Sequence, residues 1–308
     1  MRALLVVNPS ATTTSRRTRE VLTAALDSDL KLEVVHTERR GHAAELARQA
    51  RVDGLDLLVV LGGDGTVNEA VNGLLAEGPH PAVPDLAVVP GGGTNVFARA
   101  LDLPRDPVEA TGALLDALRE GRRRAVGLAM ADDRWFTFSS GMGLDAEVVA
   151  AVDARRRRGA TIGNGAYVRA AVRHFFTGTD RRHPALRVEA DGRPAEDPTH
   201  LVIVSNAAPW TYWGDRPVQP TPGASFDTGL DVYGLRNLRT VATLRQVRQL
   251  LQPSGRTPRG RQVLSLHDLD QVTVRADRPT ALQVDGEPLG DRTQVVFRAV
   301  PAALRVVR

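Results

Sequence analysis

The run Leu57-Leu58-Val59-Val60-Leu61-Gly62-Gly63-Asp64-Gly65-Thr66-Val67-Asn68-Glu69 decides the fold. Its five leading apolar residues fit a strand buried on both faces, as in a parallel sheet covered by helices. The glycines break the strand, and Ala70, Val71, Leu74 and Leu75 then recur at helical spacing. Strand, glycine turn and helix in that order form an anion cradle. Turn amides and the positive end of the helix dipole converge on a phosphate, whose approach side chains at the glycines would block. Asp64 is the acid of this turn, placed to meet a magnesium ion carried by the phosphate.

Outward from this stretch the first 120 residues alternate. Strands are expected at 3–7, 31–37 and 85–90, and helices at 15–26, 43–50 and 106–119, the last ended by Gly121. Such alternation predicts a doubly wound, mostly parallel α/β sheet, whose ligands bind beyond the carboxyl ends of its strands. Those ends carry Asn8, Thr37, the loop 62–66, and Gly91-Gly92-Gly93-Thr94-Asn95. After residue 124 the pattern changes. A hairpin through Asp132-Asp133 precedes helical stretches at 146–154 and 166–176. Short strands then fall near 185–190, 201–205, 230–235, 262–266, 271–276, 281–285 and 293–298, with one helix at 240–251. Turn signals at Asp191-Gly192, Asp227-Thr228-Gly229 and Asp285-Gly286 separate them, the signature of an antiparallel β-sandwich. Two domains follow, 1–124 and 125–308, with the last residues free to pack back on the first. A loop is expected at 252–260.

Composition agrees with two globular domains. Of 308 residues, 42% are hydrophobic, enough for real cores. The absence of cysteine excludes disulfides, thiol catalysis and cysteine–metal sites. The opening apolar run is too short for a signal peptide, and no stretch approaches a membrane span, so a cytoplasmic protein is expected. Net charge is +4, and Lys31 is the sole lysine. Between residues 151 and 187 nine arginines face only Asp153 and Asp180, a local charge of +7. That stretch suits acidic phospholipid or nucleic acid, or is a solvated face.

The second loop, Pro90-Gly91-Gly92-Gly93-Thr94-Asn95-Val96-Phe97-Ala98-Arg99, repeats the logic of the first. Its glycines admit a ligand to the backbone, and Thr94 and Asn95 can cap a helix or bind phosphate. Together with Asn8-Pro9, Gly141-Met142-Gly143-Leu144-Asp145-Ala146 and Asp285-Gly286-Glu287-Pro288, in that order, the chain resembles the diacylglycerol kinase and sphingosine kinase-like lipid kinases, in their soluble bacterial branch. The resemblance spans nearly the whole chain. NAD kinases and phosphofructokinases share the glycine loops, whereas Asn68-Glu69 and the late Asp-Gly-Glu favour lipid kinases.

The resemblance implies an NAD-kinase-like first domain that binds ATP, a lipid hydroxyl entering between the domains, and Mg2+-dependent transfer of the γ-phosphate. It assigns Asn8, Thr37, Gly62, Gly63, Asp64, Gly65, Thr66, Val67, Asn68, Gly92, Gly93 and Thr94 to ATP, and Asp64 to the metal. It makes Glu287 or Asp285 the acid that takes the hydroxyl proton. The longer arm of Glu287 favours it; as a bare pattern, Asp-Gly is also an ordinary hairpin turn. The implied partners are a lipid substrate and a membrane surface, held peripherally, with no nucleic acid and with a homodimer admissible.

Three segments depart from the family pattern. Gly93 and Val96 stand where relatives carry threonine and aspartate, and Gly127 falls near another expected aspartate. In Asp227-Thr228-Gly229-Leu230, Thr228 replaces the acid that, with backbone carbonyls such as that of Leu230, holds a structural magnesium in relatives. The departures leave two alternatives, an NAD kinase-like enzyme for a soluble substrate and a non-catalytic nucleotide or lipid sensor. Lesser signals are the aromatics of Pro209-Trp210-Thr211-Tyr212-Trp213-Gly214, His36 and His42 beside Thr37, and Phe175-Phe176 among arginines, each readable as ligand contact or as plain packing.

Overall fold

The computed structural model describes residues 1–11, 14–158, 170, 171, 173, 175, 180–190, 197–252 and 255–308, with Arg157 described by its backbone alone. The chain forms two compact units, Met1–Leu128 with Pro301–Arg308, and Ala129–Val300. The expected helix at 166–176, with Arg169 and Phe176, and the Asp191-Gly192 turn lie largely or wholly outside the described residues.

The first unit contains β1 (Arg2–Val7), α1 (Arg16–Asp27), β2 (Lys31–His36), α2 (His42–Val52), β3 (Leu57–Gly62), α3 (Asp64–Leu74), β4 (Asp85–Pro90), α4 (Val96–Ala100) and α5 (Pro107–Arg119). The strands pair in the order β2-β1-β3-β4, all parallel. The end of the last strand, β15 (Glu287–Val307), joins next to β4 through Val306 opposite Leu86. One face of the sheet, Ala3, Leu5, Val7, Leu57, Val59 and Leu61 among others, packs with Leu22 and Leu26 of α1 and Leu114 of α5. The alternate residues are equally buried, and α2 and α3 lie against β1 and β3. That two-sided burial explains the unbroken apolar run at 57–61. From β1 the chain winds outward to β2 and then returns to β3 on the other side of β1. The strand order therefore reverses between β1 and β3, the place where such sheets open a crevice at their carboxyl ends.

The second unit begins with the end of β5 (Arg123–Ala131), then β6 (Arg134–Phe136), β7 (Ser139–Gly143), α6 (Leu144–Arg157), β8 (Leu186–Ala190), β9 (Leu201–Ser205), β10 (Thr211–Trp213), β11 (Arg216–Val218), β12 (Leu230–Leu235), α7 (Thr240–Leu250), β13 (Val263–Leu269) and β14 (Gln271–Val284). Its strands run antiparallel in the order β13-β12-β9-β7-β14-β15, an antiparallel β-sandwich. Its core includes Phe136 and Phe297, packed edge to face with centroids 6.2 Å apart.

Three strand expectations change. The stretches 271–276 and 281–285 are one strand, β14, whose register shifts between Arg275 and Thr280. Its first part pairs with β8 and its last with β7, so the polar break at 277–279 marks a change of partner rather than a loop. The expected strand at 293–298 is the middle of β15, which continues to Val307. β7, Ser-Ser-Gly-Met-Gly, is a fully buried strand that its composition hides, because serine and glycine are poor strand formers. The aromatic loop at 209–214 is partly a two-stranded ribbon of β10 and β11. Among the described residues, no helix is long and apolar enough to cross a membrane.

Candidate functional site

In the first unit, backbone hydrogen bonds tie the carboxyl ends of neighbouring strands together. Thr37 N donates to Val7 O at 2.8 Å, Asn8 N to Leu61 O at 2.9 Å and Gly91 N to Gly62 O at 2.8 Å. The Asn8 side chain is fixed at both ends, accepting from Ser10 N and donating from Nδ2 to Thr66 Oγ1 at 2.9 Å. Asn8, the loop 62–66 and the loop 91–95 are thus brought together as one set.

The glycines of the two loops divide by role. A Cβ on Gly92 would stand 2.7 Å from Gly63 Cα and 2.9 Å from Asn95 Oδ1, and one on Gly91 would stand 3.2 Å from Gly62 Cα. These glycines let the loops press backbone to backbone. Gly65 and Gly93 differ. Both are exposed, neither has positive φ, and a Cβ on either meets nothing within 4 Å. Nothing in the protein itself requires glycine there. Asn95 holds its own loop, accepting from Gly92 N at 2.9 Å and donating to Gly92 O at 2.7 Å, from a left-handed backbone.

Asp64 opens α3, where the helix dipole favours a carboxylate. Its Oδ1 accepts from Phe97 N at 3.1 Å, so the acid of the first loop also anchors the helix that follows the second. The amides of Asp64 and Gly65 begin the first turn of α3, where no intrahelical acceptor exists. Val67 and Asn68 lie in the first turns of α3 behind the loop. Val67 N is spent on Gly63 O, its side chain is buried, and buried Asn68 engages Asn72 Nδ2 through Oδ1 at 3.1 Å. Burial of their side chains makes these two supports of the loop. Glu69 is another support that spacing could not reveal. Its carboxylate accepts from Ala43 N at 3.3 Å at the start of α2, whose N-cap Gly41 has no side chain to offer. His42 Nδ1 likewise accepts from Glu38 N at 3.1 Å.

In the second unit, Asp285-Gly286 forms the tip of the β14–β15 hairpin. Both residues have positive φ, 46° and 78°, as a two-residue primed turn requires. The Asp285 carboxylate is buried and accepts from Thr137 N (2.7 Å), Thr137 Oγ1 (2.8 Å), Phe138 N (3.0 Å) and Ser139 N (3.1 Å). Four donors fill the acceptor positions of a carboxylate. Asp285, the second candidate base beside the favoured Glu287, thus holds residues 137–139 in place. Glu287, two residues on, is only partly buried and lies 3.3 Å from Arg134 Nη2.

The turn is also braced from behind. Gln283 Oε1 accepts from Gly286 N at 2.8 Å, and its Nε2 donates to Asp145 Oδ2 at 2.8 Å. Asp145 is buried in the first turn of α6, and burial pushes its carboxyl up to about 6 against the opposing pull of the Gln283 amide. A Cβ on Gly141 would stand 1.8 Å from Asp145 Oδ2, which accounts for the glycine in Gly-Met-Gly-Leu-Asp. That motif was the available signal for Asp145. Arg134 and Gln283 left none in the sequence.

The residues present do not fit a second, structural magnesium at Leu230. Thr228 Oγ1 donates to Ser225 O and accepts from Ser225 N. The neighbouring Asp231 carboxylate is engaged by His267 Nδ1 at 2.6 Å and Asp268 N at 3.1 Å, and its burial raises its pKa. Among the described residues no group of three histidine or acidic side chains could cage a metal. Asp64 does fit a magnesium that arrives on phosphate and keeps most of its water, since such an ion needs one or two carboxylates.

Comparison with known proteins identifies the family. Residues 2–131 match the diacylglycerol kinase catalytic domain, and residues 139–308 match the YegS C-terminal NAD kinase beta sandwich-like domain. A protein of Chromohalobacter salexigens described as "probable lipid kinase YegS-like" is 29% identical over 272 residues, 88% of this chain and 82% of that protein. A diacylglycerol kinase of Staphylococcus carnosus is 34% identical over 137 residues, 44% of this chain and 42% of its own length. A solved structure described as a diacylglycerol kinase from Bacillus anthracis shares the fold, with a TM-score of 0.71 at 19% identity, covering 99% of this chain and 96% of that one. With one domain of the pair on each half, the chain belongs to the diacylglycerol kinase-like lipid kinases, phosphotransferases with an alcohol group as acceptor.

Proposed function

We propose that the protein transfers the γ-phosphate of Mg2+-bound ATP to the hydroxyl of a diacylglycerol- or sphingosine-like lipid, as a peripheral enzyme of a membrane surface. The observation that carries this reading is the contrast at the hairpin tip. Asp285 is saturated by donors, while Glu287 keeps a partly open carboxylate on a braced turn. Phosphoryl transfer asks chiefly for positioning and charge neutralisation, with an acid to orient the nucleophile.

On this reading the amides opening α3 and the loop 91–95 cradle the phosphates, and the open space at Gly65 and Gly93 lets backbone approach them. Asn8, Thr66 and Asn95 keep that cradle in shape, and Thr37 and Thr94 border it. Asp64 holds the magnesium, which neutralises phosphate charge when bound. Glu287 accepts the proton of the acceptor hydroxyl at a carboxylate oxygen, and Arg134 steadies its side chain. Gln283 and Asp145 keep the turn in place behind it.

Labelled ATP, magnesium and a panel of dispersed diacylglycerol, sphingosine and NAD acceptors test the reading. Label in a lipid product that vanishes in Glu287→Gln supports it. NADP formation without labelled lipid overturns it.

A further inference from the structure

Helix α7 leaves an apolar stripe exposed. Val241, Leu244 and Val247 are 79%, 64% and 43% exposed, whereas Gln246 is 1% exposed. An ordinary surface helix presents its apolar stripe to the core and its polar face to water. Here buried Gln246 and half-buried Thr243 and Gln249 point inward beside Leu250, which packs on the core, while Arg245 and Arg248 share the exposed side. Gln246 Nε2 donates to Arg259 O at 3.1 Å, and Gln249 both donates to Arg259 O at 3.0 Å and accepts from Arg259 N at 2.9 Å. The glutamines thus strap the following stretch alongside the helix. Gln246 Oε1 and Thr243 Oγ1 are buried with no partner among the described residues. The orientation that buries these two atoms also leaves Val241, Leu244 and Val247 as an outward apolar stripe.

The charge around the stripe names its partner. From Val232 to His267 the chain carries seven arginines and no acid. Arg239, Arg245 and Arg248 on or beside α7, and Arg256, Arg259 and Arg261 in the strapped stretch, are all exposed. A second copy of the chain would set arginine against arginine. Single-stranded nucleic acid is bound with aromatic side chains for stacking, and residues 234–262 contain none. An apolar stripe flanked by arginines suits the headgroup–acyl boundary of an anionic bilayer.

We infer that the outer face of α7 is the membrane-docking surface of the protein, seating Val241, Leu244 and Val247 among the lipids while the flanking arginines engage anionic headgroups. The surface takes its purpose from the lipid-kinase reading, but its occupancy is measured without turnover.

Co-sedimentation with phosphatidylcholine vesicles, with and without phosphatidylglycerol, tests it on the full chain. The wild type should sediment with the anionic vesicles and be released by salt. Val241→Gln/Leu244→Gln should lower partitioning at least about tenfold. Arg245→Gln/Arg248→Gln should lower it about fivefold per arginine. All four positions are exposed, so both variants should melt with the wild type and keep its turnover on a monomeric short-chain diacylglycerol. Vesicle binding that is lost in the variants, with no lipid phosphorylated by the wild type, would overturn the kinase reading and leave the docking surface standing. Wild-type-like vesicle binding by both variants overturns the docking surface. So does equal binding to neutral vesicles, or a dimer that Leu244→Gln dissolves without any change in vesicle binding.

Discussion

Asp285 and Glu287 sit two positions apart at one hairpin tip and have opposite surroundings: four donors close on the first, while the second stays partly open beside Arg134. The two should separate experimentally. Glu287→Gln should leave the melting temperature near that of the wild type and lower kcat by roughly 10²–10⁴-fold, the scale of a lost general base. Asp285→Asn should instead unfold early. It loses charge-assisted bonds and points an amide donor at backbone donors, at a cost of about 3 kcal/mol or more, several degrees in Tm. Thermal melts beside initial rates distinguish the two.

The glycines offer a second separation. Gly92→Ala puts a methyl 2.7 Å from Gly63 Cα and should cost about 1–3 kcal/mol in urea or thermal unfolding. Gly65→Ala meets no atom within 4 Å and sits in a helix, where alanine is favoured by about 0.5–1 kcal/mol. Its melting temperature should hold or rise while nucleotide affinity, read by calorimetric titration, falls. Unchanged affinity would mean that phosphate does not approach that turn.

Asp145 predicts a pH dependence of stability. Its pKa in the folded protein, about 6, lies above the ordinary carboxyl value of 3.8. The stability it contributes is fully present below about pH 4, where it is protonated in both states, and is lost as pH rises through 6. Above pH 6 a buried carboxylate replaces the neutral acid, a difference on the order of 3 kcal/mol. Asp145→Asn keeps an acceptor for Gln283 and removes the titration. Its stability relative to wild type should climb between pH 4 and 7 in denaturant titrations and stay level above.

The metal dependence should centre on Asp64. Asp64→Asn can still accept from Phe97 N, so the loops should keep their shape. Turnover should nevertheless fall on the order of 10²–10³-fold, with a higher magnesium requirement, and chelation should abolish the wild-type reaction. Magnesium titration of the two proteins measures the shift.

The sequence made the first unit legible because both faces of its strands are buried, so 3–7, 57–61 and 85–90 read as apolar blocks between helices. The glycine loops were legible for the same local reason. What it concealed depended on distant partners. β7 is a strand only because β9 and β14 flank it. Nothing near Asp285 announces that the amides of 137–139 will saturate it, and nothing near Glu69 shows that it meets Ala43 N. Helix α7 was readable as a helix, but its apolar stripe looks the same in sequence whether it faces the core or the solvent. Only the burial of Gln246 settles which way it turns.

The most direct measurement is extraction of lipid after incubation with γ-labelled ATP, magnesium and dispersed diacylglycerol, for the wild type and for Glu287→Gln at equal folded concentration. Label should enter the lipid phase with the wild type and fall to background with Glu287→Gln. Undiminished labelling by Glu287→Gln, or NADP formed from NAD by a wild type that labels no lipid, would contradict the account.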